Sequence, residues 1–334
     1  MSLPRGIILT MTVVLAAGAL LAACGGNSAM APRISAQSFM GYRPRTQLFH
    51  PGALQTPALL TISSNSRALE YWRIAPKGGS HPIEIARSVA SGANMAADGN
   101  VVAIANTTPS RVVLFDVSTN EKRSLADPFG QAYDVAIGAD HTIYALNFQG
   151  KSNTISVYAN GSPPAREISC SLLGVAGSLA VDGEGNLFDN GILSNGKEGV
   201  VEIPHAQRPG PAGACFALNL NQETGSSGIA IEPKTDALVT LAAPGGCAGG
   251  YNAEMTIYRR PYSSKTAQVR EMDGNCSRGL RFNADSTIVF YGDTDVSVSY
   301  EFIREATYPD GKNFGHYWNG GPTGITTIPN TLPN

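Results

Sequence analysis

One short phrase recurs along the chain and constrains its fold more than any other feature. The phrase is a polar or Gly residue, an apolar-x-apolar run, a short turn, and a second apolar run that often ends in Asn or Asp. Copies start at Asn94 (NMAADGNVVAIAN), Asp134 (DVAIGADHTIYALN), Ser178 (SLAVDGEGNLFDN), Gly228 (GIAIEPKTDALVTL) and Gly279 (GLRFNADSTIVFYGD), and a last fragment, GITTIP, starts at Gly324. The starts lie 40, 44, 50, 51 and 45 residues apart, a mean of 46. Self-similarity at such a period marks an array of like units.

Each copy is followed by another alternating run, at 111–117, 153–159, 199–204, 254–260 and 295–304. A weaker fourth run often follows, as at 165–170 and 216–221. Alternating runs separated by Gly, Asn, Asp and Pro read as antiparallel strands. Four strands per unit of this length is the size of a propeller blade. Ahead of the first full copy lie three strands, 58–63, 68–75 and 82–87, that lack a first strand, and Gly324 opens a first strand that lacks companions. Joined, they complete one blade and remove the exposed edges. Residues 57–334 number 278, close to six units of 46. The sequence therefore predicts an all-β, six-bladed β-propeller, its ring closed by N-terminal strands plus the C-terminal strand. Equal spacing and complementary half-blades argue against a β-sandwich of irregular hairpins.

These phrases resemble NHL repeats, whose consensus is Gly-Ile-Ala-Val-Asp, then Gly-Asn-Val-Tyr-Val-Ala-Asp, then Ile-x-Val-Phe. The stretch from Ser178 to Asp189 is the nearest copy. The likeness covers nearly all of 57–330, and every copy is degenerate. Propellers of this kind include scaffolds and enzymes, so the resemblance implies a fold and not a function. Signatures of other propellers are missing: there is no Trp-Asp dipeptide, no periodic Gly-Gly pair and no Ser-x-Asp-x-Gly-x-x-x-Trp box.

The N-terminus reads as an address. Arg5 is the one charge in residues 1–23, and an apolar run extends from Ile7 to Ala23. It is short for a membrane span and has a charged front, as secretory signals do. It ends Leu21-Ala22-Ala23-Cys24, which resembles the bacterial lipobox. The resemblance implies a signal peptide over 1–23, diacylglycerol on the Cys24 thiol, cleavage before it and acylation of the new amino group. The competing readings are an ordinary signal peptide with a chance Cys and an uncleaved anchor. Several acyl chains anchor stably where one is marginal. Residues 24–56, rich in Ser, Ala, Pro, Gly and Gln, read as a tether, and 57–334 as the propeller. The expected location is the cell envelope. In a cell with two membranes, Gly25 after the lipidated Cys favours the outer one, because an Asp there is associated with inner-membrane retention.

Lys plus Arg number 24 against 26 Asp plus Glu, a net charge of −2. No basic excess exists to neutralise a phosphate backbone, so nucleic acid is not an expected partner. The expected partners are the membrane, through the lipid, and a protein or carbohydrate ligand of a monomeric propeller.

In a propeller, first-strand starts and second-strand ends share the face at the channel mouth. That face should gather Asn94, Asp134 and Ser178 from the starts, and Asn106, Asn147, Asn190 and Asp293 from the ends. Such oxygen-bearing groups suit a hard cation, a sugar or a peptide, although Asn and Asp also occur there simply as turn formers. A resemblance to six-bladed gluconolactonase-type enzymes implies one divalent cation held by a Glu, Asn residues and an Asp. This sequence has no Glu at any first-strand start, and Ser227-Gly228 and Arg278-Gly279 replace the paired Asn-Gly. No cofactor or metal is therefore expected. The leading reading is a binding or interaction scaffold, and the alternative is a metal-dependent lactonase-like hydrolase at the mouth. His50, His81, His141, His205 and His316 show no metal-ligand spacing, with His141 expected in a solvated turn on the far face. Long loops at 241–254 and 305–322 offer Tyr251, Tyr308, Phe314, Tyr317 and Trp318 as contact groups or as packing.

With Cys24 assigned to lipid, Cys170, Cys215, Cys247 and Cys276 remain. An even count in an exported chain suggests two disulfides with three alternative pairings. Loop placement favours Cys247–Cys276. Cys170–Cys215 then follows, although the strand model puts those two nearer opposite faces. Free buried thiols are the alternative.

Overall fold

A computed structural model describes residues 57–63, 67–74, 78–79, 82–89, 94–148, 153–163, 165–208, 215–220, 226–243, 252–274, 278–295, 300–318 and 322–328. The expected signal peptide and tether, Cys24, Cys247, Cys276, Tyr251, His50 and His81 lie outside the described residues.

The strands run in the order the repeat dictates. The first blade contains β1 (Ala58–Ser63), β2 (Leu69–Arg73) and β4 (Ile83–Ala86), with β3 (Gly78–Gly79) between the last two in sequence. The second is β5 (Met95–Asp98), β6 (Val101–Asn106), β7 (Arg111–Asp116) and β8 (Glu121–Ala126). The third is β9 (Gln131–Ile137), β10 (Ile143–Phe148), β11 (Asn153–Tyr158) and β12 (Arg166–Ile168). The fourth is β13 (Leu173–Val181), β14 (Leu187–Leu193), β15 (Glu198–Ile203) and β16 (Phe216–Ala217). The fifth is β17 (Ser226–Ile231), β18 (Leu238–Ala242), β19 (Ala253–Tyr258) and β20 (Gln268–Met272). The sixth is β21 (Arg278–Phe282), β22 (Ile288–Asp295), β23 (Tyr300–Thr307) and β24 (Asn313–Trp318), followed by β25 (Pro322–Ile328). The six antiparallel sheets form a six-bladed β-propeller.

The ring closes as the half-blades require. β25 is the inner strand of the first blade, antiparallel to β1 from Ala58↔Ile328 to Ile62↔Gly324. Successive residues of a strand point to opposite faces. Both faces of a blade meet a neighbour, so the strands read as near-continuous apolar runs. Leu60 and Ile62 enter the cluster shared with the second blade, and Leu59 enters the cluster shared with the sixth. Among the described residues there are six such clusters, one at each seam.

The acid or amide repeated at the end of the inner strand has a structural task. Asp182 Oδ1 accepts the N–H groups of Glu184 (3.0 Å) and Asn186 (2.8 Å). Glu232 accepts those of Lys234 (2.9 Å) and Thr235 (2.7 Å), and Asn283 those of Thr287 and Ile288 (both 2.9 Å). Each side chain closes the turn of its hairpin, which selects Asp, Asn or an equivalent acceptor at that position.

Two expectations are corrected. Residues 305–322 are not a long loop: β23 and β24 flank a turn at 308–312. Tyr317 is fully buried, edge-on to Trp72 at 5.4 Å, and its hydroxyl donates to Glu305 Oε1 (2.6 Å). Tyr308 packs edge-on against Phe282 at 4.9 Å, while Phe314 is exposed. β24 also takes β3 as a parallel fifth strand, His316↔Gly78 and Tyr317↔Gly79. The second correction concerns placement alone: the expected Cys170–Cys215 disulfide forms, with a Cα separation of 6.1 Å, so the two are not nearer opposite faces as the strand model has them. β12 pairs only with Ile155–Val157, so the chain leaves the sheet early. Cys170 is thereby buried in the seam with the fourth blade, where Cys215 packs.

Candidate functional site

The inner strands β25, β5, β9, β13, β17 and β21 surround the channel. Where they start, the structure brings together the three residues expected from first strands. Asp134 is fully buried. Its Oδ1 accepts the N–H of Val135 (2.8 Å), and its Oδ2 accepts the N–H of Leu179 in the next blade (2.7 Å). The half-buried Asn94 also hydrogen-bonds it. Ser178, immediately before Leu179, is buried. Burial pushes the Asp134 pKa up to about 6, against the opposing pull of Arg281, the two N–H groups and Asn94.

Two charged residues absent from the expected set complete this region. Arg281 projects from the sixth blade. Its Nη2 donates to Met95 O of the second blade (2.9 Å) and stands 3.9 Å from Asp134 Oδ1. Its position in the repeat is held by Ala96, Ala136, Ala180 and Ala230 in four other copies and by Thr326 in the last, and these small side chains leave the space it spans. Asp189, in β14, is 3% exposed, and no protein donor reaches its Oδ1. That oxygen lies 2.2 Å from where a Cβ on Gly177 would stand, so the bare backbone of Gly177 makes its room. Burial, with the Asp134 charge behind it, pushes the Asp189 pKa up to about 8. Both residues left a trace in the sequence: Asp189 occupies the position of Ile104 and Ala145, and Arg281 stands where four other copies carry alanine.

The second-strand ends are dispersed around the ring, each in its own bonds. Asn106 donates to Pro109 O (2.6 Å), and Asn190 donates to Gly228 O of the next blade (3.0 Å). Asn147 donates to Ser156 Oγ (2.7 Å), and Asp293 pairs with Arg304 (2.6 Å). All four are buried. Gly228 and Gly279 approach so closely that a Cβ on Gly228 would lie 2.9 Å from the Gly279 carbonyl carbon.

The described histidines do not converge on the channel. His141 Nδ1 lies 2.5 Å from Asp98 Oδ2, linking two blades on the far face. His205 contacts Glu184 O at 3.4 Å, and His316 lies on β24, between β23 and β3, against Phe302. Arg260 is the centre of a far-face network with Asp182 (2.5 Å), Asp236 (2.6 Å) and Glu184 (3.5 Å). A cleft of about 310 Å³ opens between the fifth and sixth blades beside Glu232, Ile257 and Tyr308.

No protein-family model matches the sequence, and no curated protein matches it. Solved structures do share its architecture. A chain of a nidogen/laminin complex superposes with a TM-score of 0.64 at 14% identity, over 81% of this chain and 97% of that one. TolB from Acinetobacter baumannii gives 0.57 at 11% identity, over 78% and 66% respectively. A catalytically inactive virginiamycin B lyase from Staphylococcus aureus, crystallised with quinupristin, gives 0.51 at 12%, over 80% and 87%. The fold they share with this chain is the β-propeller. At these identities the likeness is one of fold.

Proposed function

We propose that this chain is a lipid-anchored envelope protein whose propeller binds a protein or carbohydrate ligand at the channel mouth. One observation carries the scaffold reading. Both oxygens of Asp134 are bonded to backbone N–H groups, and a guanidinium stands where a catalytic cation would have to approach. A metal-dependent hydrolase needs a cation to polarise the substrate carbonyl and lower the pKa of a water, and Arg281 opposes a cation there by charge. A neighbour of the same fold solved in a protein–protein complex is consistent with a binding role. Tyr133 adds an exposed aromatic next to Asp134 at the mouth.

The test is a lactone panel with added calcium, zinc or manganese. The expected result is no turnover. Metal-dependent hydrolysis that disappears in Asp134→Ala would replace the scaffold with an enzyme. On glycan or peptide arrays, binding should be weakened by Tyr133→Ala and unaffected by Phe216→Ala on the outer rim.

A further inference from the structure

The crossover from the second to the third blade, residues 127–130, covers a buried polar cluster. Asp127 is 8% exposed, and Asn147 and Ser156 are fully buried. Asn147 pairs with Thr154 across the hairpin, so its side chain shares a sheet face with Ser156, two residues on. Asp127 Oδ1 accepts three hydrogen bonds, from Phe129 N (3.1 Å), Ser156 Oγ (2.7 Å) and Asn147 Nδ2 (3.3 Å). The amide of Asn147 also donates to Ser156 Oγ (2.7 Å). The hydroxyl proton of Ser156 and both amide protons of Asn147 are thus used.

Two oxygens remain, Asp127 Oδ2 and Asn147 Oδ1, both inaccessible and without a hydrogen-bond partner in this geometry; the Tyr158 hydroxyl, which donates to Ala126 O, also lies against the Asp127 carboxyl. Among the described residues Asp127 makes no ion pair. A buried carboxylate is costly unless its charge is compensated. The unmet need is therefore for positive charge offered to oxygen atoms only, which is the preference of hard cations. We propose that Asp127 Oδ2 and Asn147 Oδ1 bind a calcium-class cation at the seam between the second and third blades. The ion ties the crossover to the third blade, and of the residues expected at the channel mouth it uses Asn147 alone. With one carboxylate in the set, affinity falls in the weak class, about 10⁻⁴–10⁻³ M.

The experiment uses the full mature chain after chelator treatment. Calcium, magnesium and sodium are titrated at neutral pH while the unfolding midpoint is followed. Terbium luminescence is excited through tyrosine, since Tyr158 donates to Ala126 O (3.0 Å) next to Asp127. Millimolar calcium should raise the midpoint, and terbium emission should appear. Both responses should vanish in Asp127→Asn and persist in Asp140→Asn, a turn acid elsewhere in the third blade. Should Asp127→Asn fail to fold, Asn147→Asp decides the matter: a second carboxylate of equal size should tighten calcium binding by about tenfold or more. Three results overturn the proposal: no response to any of the cations, a response that survives Asp127→Asn, or unchanged affinity in Asn147→Asp. The first would place a proton on Asp127 instead.

Discussion

Asp134 and Asp189 bury two carboxyl groups at one seam, where a single guanidinium, that of Arg281, stands beside Asp134. Arg281 favours the ionised form of Asp134, and Asp189 accordingly keeps its proton near neutral pH. In the unfolded chain both titrate near 3.8. The folded state therefore binds more protons above that pH, and stability falls as pH rises, through about 6 for Asp134 and about 8 for Asp189. Asp189→Asn keeps the shape over Gly177 and removes the proton to be lost. The expected outcome in urea unfolding is a flatter stability profile between pH 6 and 8, with the variant gaining on the parent at the alkaline end. A profile as steep as the parent's would show that Asp189 is not the titrating group. Asp134 was legible in the sequence because it stands at a repeat start where Gly is usual. Asp189 and Arg281 were legible only by comparing copies: Asp189 stands where the second and third blades carry Ile104 and Ala145, and Arg281 where four other copies carry alanine. That they lie at the same inner region depends on three different blades meeting, which no local pattern encodes.

Strands with both faces buried announce themselves, and those at the rim do not. The inner strands are found where the repeat puts them, because two seams demand apolar residues on both faces. β24 (NFGHYW) was missed as a strand: Gly315 interrupts it, and its outer position relaxes the apolar requirement. β3 is two glycines long, and its parallel pairing with β24 is a contact between blades with no sequence period behind it. β25, by contrast, is visible, because it repeats the phrase that opens every blade. Deleting the chain from Gly321 removes it. Ile325 leaves the seam with the sixth blade and Ile328 the seam with the second. At about 1.5–3 kcal/mol per buried Ile, these two alone cost about 3–6 kcal/mol, a large part of the roughly 5–15 kcal/mol that holds a domain folded. β1 would also become an open edge prone to pairing with other chains. The truncated protein should unfold well below the parent temperature or aggregate; an unchanged midpoint would refute closure by β25.

At the scale of the molecule, the ring is closed entirely within residues 58–328. Each blade packs against both neighbours, and the Cys170–Cys215 disulfide crosses one seam. Such a cross-link across 45 residues of chain is worth about 4 kcal/mol by loop entropy. No strand before Ala58 is needed to complete a blade, so folding and anchoring are separable. The lipobox-like Leu21-Ala22-Ala23-Cys24 then bears on location alone. The thiol of Cys24 is the atom that would be alkylated, and serine offers a poorer nucleophile of similar size. In Cys24→Ser, incorporation of radiolabelled palmitate should be abolished and the protein should remain uncleaved or become soluble. The propeller's unfolding midpoint should stay at the parent value, because strands within residues 58–328 complete every blade. Persistent labelling in the variant would sink the lipoprotein proposal, and a lowered midpoint would show that the N-terminal segment contributes to the fold after all.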